Sequence, residues 1–212
     1  ELPPLIDEHF HGTGRDAIAG ISMSGGPALN IASLKPERFA AAASYSGCPS
    51  TSGVLGDTYV RQALKLNGAD PHKMWGMSSN PAWTAHSPVL HLDALEGTKL
   101  FVSAAQGVPG SIDDTKSSSE RIGPPVAIES ASYACSEYFV DRAQRAGLDV
   151  QWYPQVEGTH SWGLFEKSMR KSWSVIGPAI DAEPFERGAP VTKTPLPDEA
   201  PQPVGGSAGS SK

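Results

Sequence analysis

Four short apolar runs, Ala17–Ile21, Phe39–Tyr45, Leu100–Ala104 and Val150–Tyr153, constrain this chain more than any other feature of it. Each is too short for a helix, and none alternates apolar with polar residues. That is the pattern of strands buried on both faces. Between them lie longer stretches with helix signals. Residues 1–10 read as the end of a helix closed by Gly12 and Gly14, and Ser22 to Ser33 as a helix stopped near Lys35-Pro36. Asp57 to Leu66 reads as a helix with Asp57 as its N-cap, and Ala127 to Ala146 as an amphipathic helix ended by Gly147. Trp162 to Val175 is the final helix. Residues 67–98 are expected to be irregular, with Pro71, Pro81 and Pro88 interrupting any regular element, and a loop rich in Gly, Ser and Pro runs to about Pro125. Strands alternating with helices predict a parallel sheet covered by helices on both faces, an α/β fold.

The 212 residues suffice for one domain. From about Asp181 large apolar residues nearly vanish, so 1–180 is expected to form the domain and 181–212 a disordered tail rich in Pro, Gly and Ser. The net charge is -6 and Lys and Arg are not clustered, which argues against a nucleic-acid partner. No apolar run approaches the ~20 residues of a membrane helix. The chain opens on Glu1-Leu2-Pro3-Pro4-Leu5-Ile6, without Met or signal peptide, and reads from the middle of a helical segment. A piece of a longer protein is therefore expected. Cys48 and Cys135, the only cysteines, lack metal-site spacing and are compatible with two buried thiols.

Gly20-Ile21-Ser22-Met23-Ser24-Gly25 lies where a strand turns directly into a helix. That is the setting of a nucleophile elbow, in which a serine on a tight turn projects from the sheet edge and small neighbours let strand and helix approach. The Met23 N–H would then face a developing oxyanion. The usual esterase form is G-x-S-x-G. Here Ser24 takes the second glycine's place, so a strand–helix turn with an incidental serine competes as a reading. Of His9, His11, His72, His86, His91 and His160, only His160 follows the last strand on a loop, where the base of such a fold belongs. The acid could be Asp113, Asp114, Glu120, Glu129, Glu137 or Asp141. Geometry favours a place soon after the third strand, and periodicity does not choose.

Three separated segments, in order, carry a family resemblance. Gly20 to Gly25 is similar to the G-L-S-M-A-G elbow of the antigen 85 mycoloyltransferases. Met74-Trp75-Gly76-Met77-Ser78-Ser79-Asn80-Pro81-Ala82-Trp83 is similar to their M-W-G-P-S-S-D-P-A-W, and Gly158-Thr159-His160-Ser161-Trp162 matches their G-T-H-S-W. The opening Glu1-Leu2-Pro3 resembles the helix before the elbow, and the resemblance spans roughly residues 1–176. The cysteine pair and Ser46-Gly47-Cys48-Pro49 look more like the corynebacterial branch than the mycobacterial antigens themselves.

The resemblance implies an α/β-hydrolase fold whose first strands, second oxyanion amide, sugar-gripping residues and signal peptide lie upstream of Glu1. It implies Ser22 as nucleophile, His160 as base, and Glu129, at the matching place in Ile128-Glu129-Ser130, as acid. It implies a secreted, cell-envelope enzyme, expected to be a monomer, without metal or organic cofactor. That enzyme would transfer a mycoloyl group from trehalose monomycolate to another trehalose monomycolate or to arabinogalactan. Trp162 would pack on sugar or lipid, or else support the His160 loop. If Glu129 reaches the triad, its helix crosses the sheet edge beyond which Cys48 lies. Cys135, less than two turns further on, is then expected to form a disulfide with Cys48 in the oxidising compartment that secretion implies. Two rivals remain at this point: a carboxylesterase using water, and a non-catalytic adhesion or carbohydrate-binding protein on the same fold.

Overall fold

The computed structural model describes residues 2–10, 12–113 and 123–182. Four strands, β1 (Asp16–Ile21), β2 (Phe39–Tyr45), β3 (Lys99–Val108) and β4 (Val150–Glu157), form one parallel sheet in the order β1-β2-β3-β4. The register sets Gly20 beside Ser44, Ser44 beside Val102 and Ser103 beside Tyr153, so the ends of β1 to β4 form one edge. Successive side chains point to opposite faces. Ala42, Leu100 and Val102 join Leu29, Val89, Leu95 and Phe139 on one face. Ala41, Ala43, Tyr45 and Phe101 meet Ile176 on the other.

The helices are α1 (Leu2–Phe10), α2 (Gly25–Leu34), α3 (Gly53–Leu66), α4 (His72–Trp75), α5 (Pro81–Ala85), α6 (Pro124–Arg145) and α7 (Trp162–Ala179). Leu29 of α2 and Phe139 of α6 cover the first face, and Ile176 of α7 the second.

Several elements differ from the expectation. Asp57 is not an N-cap. Helix α3 starts at Gly53 behind Ser52, and Asp57 sits in its second turn, paired with Arg61 at 2.9 Å and accepting from Ser78. Gly53 and Gly56 are poor helix formers and hid the first turn, yet Gly56 is required there, because a Cβ would lie 2.7 Å from the Ser50 carbonyl oxygen. Residues 67–98 are not irregular throughout. Pro81 opens α5 and Pro88 opens a 3-10 turn, Pro88–Leu90, while Pro71 immediately precedes α4. At a first helical position the missing N–H costs nothing, so these prolines start turns. Strands β3 and β4 outrun their apolar runs, and β4 carries Pro154, as an edge strand allows. The helix expected from Ser22 begins as a 3-10 turn, Ser22–Ser24, before α2. Apart from Asp181 and Ala182, the expected tail lies outside the described residues, as do His11, Asp114 and Glu120. Among the described residues no helix is long and apolar enough to cross a membrane.

Candidate active site

Strand β1 stops at Ile21 and the chain turns at once. Ser22 has φ +55°, in the left-handed region that L side chains avoid. Two kinds of contact hold it there. Ser24 Oγ accepts from the Ile21 N–H at 2.9 Å and donates to the Ile21 carbonyl at 2.8 Å, closing the turn with one side chain. The glycines provide the space. A Cβ on Gly20 would lie 2.0 Å from the Ser24 carbonyl oxygen, and one on Gly25 2.4 Å from Ser44 Oγ. The serine that departs from the usual motif therefore has a structural task, and the glycine one place later is the one packed against β2. The Met23 N–H belongs to the first turn, among the donors a helix leaves without an internal partner.

His160 reaches the same edge on the loop after β4, past Gly158 at φ +138°. The Ser22 hydroxyl lies 2.6 Å from His160 Nε2, and His160 Nδ1 lies 2.7 Å from Glu129 Oε2. Glu129 projects from the second turn of α6 and is fully buried. Its other oxygen, Oε1, accepts from Ser46 Oγ and the Ala105 N–H, each at 2.8 Å. A buried carboxylate with three donors is compensated for lost hydration. The structure thus brings together Ser22, His160 and Glu129, from three separate segments.

Asp113, one of the candidate carboxylates at the place soon after the third strand that geometry favoured, serves the loop. It lies soon after β3 and accepts from the Thr159 N–H at 2.7 Å, Thr159 Oγ1 at 2.8 Å, Ser161 Oγ at 3.1 Å and the Gly110 N–H at 2.7 Å. Both neighbours of His160 are therefore pinned by one carboxylate. Burial raises the Asp113 pKa, but the bonds from Gly110, Thr159 and Ser161 outweigh it and hold the carboxyl below the ordinary aspartate range. The His160 N–H also donates to the Pro125 carbonyl at 3.1 Å, tying this loop to the start of α6.

Sequence reasoning missed Ser46. Its φ is +50°, its N–H donates to the Ser103 carbonyl at 2.7 Å, and its hydroxyl donates to Glu129. Two residues on, Cys48 is joined to Cys135 of α6 in a disulfide with Cα atoms 5.0 Å apart, and Ser136 Oγ donates to the Gly47 carbonyl at 3.1 Å. No local pattern marks Ser46, because its partner is 83 residues away.

Trp162 is 72% exposed. Its ring packs edge-on to Phe165 at 5.7 Å, and Phe165 packs edge-on to His160 at 4.9 Å. It does not line the cavity of about 290 Å³ that opens at Met23. That cavity is walled by Pro27 and Asn30 of α2, Tyr59 and Leu64 of α3, and Trp75 and His86. Tyr59 donates to or accepts from Ser132 at 3.1 Å. Burial raises its hydroxyl pKa, the Ser132 bond offsets part of this, and the charge of Glu129 adds to the rise. Among the described residues no cluster of three or more His, Cys, Asp or Glu side chains could hold a metal ion.

The model of the putative esterase family matches residues 1–173. The chain belongs to that family. Curated relatives include the diacylglycerol acyltransferase/mycolyltransferase Ag85C of Mycobacterium leprae, 30% identical over 158 residues, 73% of this chain and 46% of that protein. The Ag85B protein of Mycobacterium intracellulare is 31% identical over 168 residues, 76% of this chain and 49% of that protein. This esterase-family chain thus spans about half the length of the curated relatives it matches. These relatives bear out the antigen 85 resemblance read from the three motifs. Among solved structures, Mycobacterium tuberculosis MPT51 (FbpC1) superposes with a TM-score of 0.69 at 22% identity, covering 85% of this chain and 66% of that one. A ferulic acid esterase does so at 0.53 and 18%, covering 85% and 58%. At such identities the likeness is one of fold, and that fold is α/β-hydrolase-like, as expected.

Proposed function

We propose that this chain carries the reaction centre of a serine acyltransferase of the mycoloyltransferase type. The observation that carries the reading is the hydrogen-bonded series from Ser22 Oγ through His160 to Glu129, at 2.6 and 2.7 Å. His160 Nε2 takes the Ser22 proton as Oγ bonds to the ester carbonyl carbon of the donor. The oxyanion that forms accepts from the Met23 N–H. Glu129 accepts from His160 Nδ1–H and stabilises the imidazolium. Collapse breaks the ester C–O bond, and His160 returns its proton to the departing sugar oxygen. An acceptor hydroxyl then gives its proton to His160 and attacks the acyl-enzyme carbonyl; collapse breaks the bond from the acyl carbon to Ser22 Oγ, and His160 returns the proton to Ser22.

The relatives' named mycolyltransferase activity supports a mycoloyl group as the acyl unit. Trehalose monomycolate as donor, and trehalose monomycolate or arabinogalactan as acceptor, are what the antigen 85 resemblance implies. The apolar cavity at Met23 suits the acyl chain. The proposed enzyme is a monomer in the secreted or cell-envelope compartment, and the Cys48–Cys135 disulfide supports an oxidising location. Residues 1–180 are taken as part of one catalytic domain.

A second reading, hydrolysis with water as acceptor, is favoured by the family's esterase description and by the exposure of Met23 and Trp162 beside the reacting atoms. Two measurements test these readings. A fluorophosphonate probe should label the protein, and Ser22→Ala should abolish labelling and lower acyl transfer by several orders of magnitude. Undiminished labelling of the variant would remove Ser22 from the role. With trehalose monomycolate, a dimycolate product supports transfer, whereas free acid alone supports the esterase.

A further inference from the structure

One side of α6 is held by residues that line or flank the cavity at Met23. Glu129, Ser132 and Ser136 follow one another at helical spacing, so they share a face, and all three are buried. Ser46 donates to Glu129, and the Gly47 carbonyl accepts from Ser136, both on the segment that leads into Cys48 of the cavity wall. The Cys48–Cys135 disulfide backs these two contacts covalently. The third contact has no such support. It is the hydrogen bond at 3.1 Å between the Tyr59 hydroxyl of α3 and Ser132. Tyr59 lines the cavity and Ser132 does not. The turn that presents the acid is thus held, at one point, by a ring that an occupant of the cavity would touch. Glu129 is near enough for its charge to add to the rise in the Tyr59 pKa.

We propose that Tyr59 is a positioning residue that ties filling of the cavity to the placement of Glu129, so that a long acyl chain raises kcat. The proposal rests on the reading that the cavity holds the acyl chain. An empty cavity leaves one side of the Tyr59 ring without packing partners, and an alkyl chain supplies them. A ring held on that side keeps its hydroxyl on Ser132, one turn along α6 from Glu129. Binding energy from the unreactive end of the substrate then orients the acid, and it appears in kcat rather than in KM. A short chain reaches the same triad but leaves the ring unsupported. The bond joins two neutral hydroxyls, so the gain is several-fold rather than orders of magnitude.

The test is steady-state hydrolysis of p-nitrophenyl butyrate and p-nitrophenyl decanoate by the full chain. In wild type, kcat for the decanoate should exceed that for the butyrate about fivefold, the range of one buried neutral hydrogen bond. Tyr59→Phe keeps the ring that touches the chain and removes the hydroxyl. The kcat ratio should then fall to about one, while KM for the decanoate shifts by less than about twofold. Ser132→Ala removes the partner without altering the cavity wall, and should give the same ratio, with no further change in the double variant. Partial unfolding lowers both kcat values alike and leaves their ratio intact, so the ratio is the deciding readout. A wild-type ratio near one, a ratio unaltered in Tyr59→Phe, or a change confined to KM overturns the proposal. Ala63→Trp, which fills the cavity, should raise KM for the decanoate more than for the butyrate. If it raises neither, the acyl chain lies elsewhere, and the underlying reading fails together with this one. Absence of turnover with both esters would remove the reaction centre itself.

Discussion

Ser22 and Glu129 sit on either side of one imidazole, yet the chain holds them by different means. Ser22 is fixed by neighbours in sequence: Ile21 and Ser24 close its turn, and Gly20 provides the space. Glu129 is fixed from afar, by Ser46 and Ala105 on its carboxylate and by a disulfide at Cys135, six residues along its helix. The geometry at Ser22 is local and strained, with φ +55°. The geometry at Glu129 is tertiary and fully hydrogen-bonded. Damage to distant parts of the chain should therefore reach the site through the acid.

The largest effect should come from the acid itself. Glu129→Gln keeps the shape but presents an amide to His160, favouring the wrong tautomer, and kcat should fall by about 10³–10⁴ while thermal unfolding changes little. Steady-state turnover and a melting curve decide this together, and wild-type turnover would return the acid role to another carboxylate. A smaller but still large effect is expected from the disulfide. Replacing Cys48 and Cys135 by Ala opens a loop of 87 residues, worth about 4.5 kcal/mol in the chain-entropy model. At ~2–4 °C per kcal/mol for a chain of this size, Tm should drop by roughly 10 °C or more. If the comparison holds, the loss of activity in that variant appears in kcat, because Glu129 loses its anchor while the Ser22 turn keeps its own. An unchanged kcat would break the contrast between the two arms.

The weakest perturbation sharpens the picture on the His160 loop. Asp113→Asn retains an acceptor but loses the charge, at about 2 kcal/mol for hydrogen bonds to a charged group. The folded pKa of Asp113 is depressed, so the stability it contributes is complete above its unfolded value of about 3.9 and is lost as pH falls through the lower folded value. Wild type should therefore exceed the variant by a constant margin above about pH 5, and the margin should close below pH 4. Urea midpoints measured across that range check it, and a margin independent of pH would show that the charge contributes nothing.

The same division between local and distant explains what could be read beforehand. All four strands of the described residues were found from their apolar runs, although only β2 and β3 are largely buried, while β1 and β4 are half-exposed. The ends of β3 and β4 were not, because Gln106, at a register shift, and Pro154 carry the strands on without continuing the apolar pattern. The meeting of Ser22 and His160 at one sheet edge was legible, since each is set by the element immediately before it. Glu129 was not legible from spacing. It competed with five other carboxylates, and only the motif resemblance singled it out. Asp113 stood in a telling place, but the bonds that give it the loop rather than the ring cross 46 residues.

Pro154 has a further consequence. It lies in β4, at one border of the sheet, opposite Ala104 of β3. A strand border with a complete row of N–H groups recruits other chains, whereas one with a gap in that row is a poor template. Proline is admitted to a sheet where its absent N–H faces outward, so at Pro154 the outer row is interrupted near its middle. The β4 side is thereby protected against edge-to-edge self-association, and a Pro154→Val chain would be the more prone to form fibrous aggregates on storage.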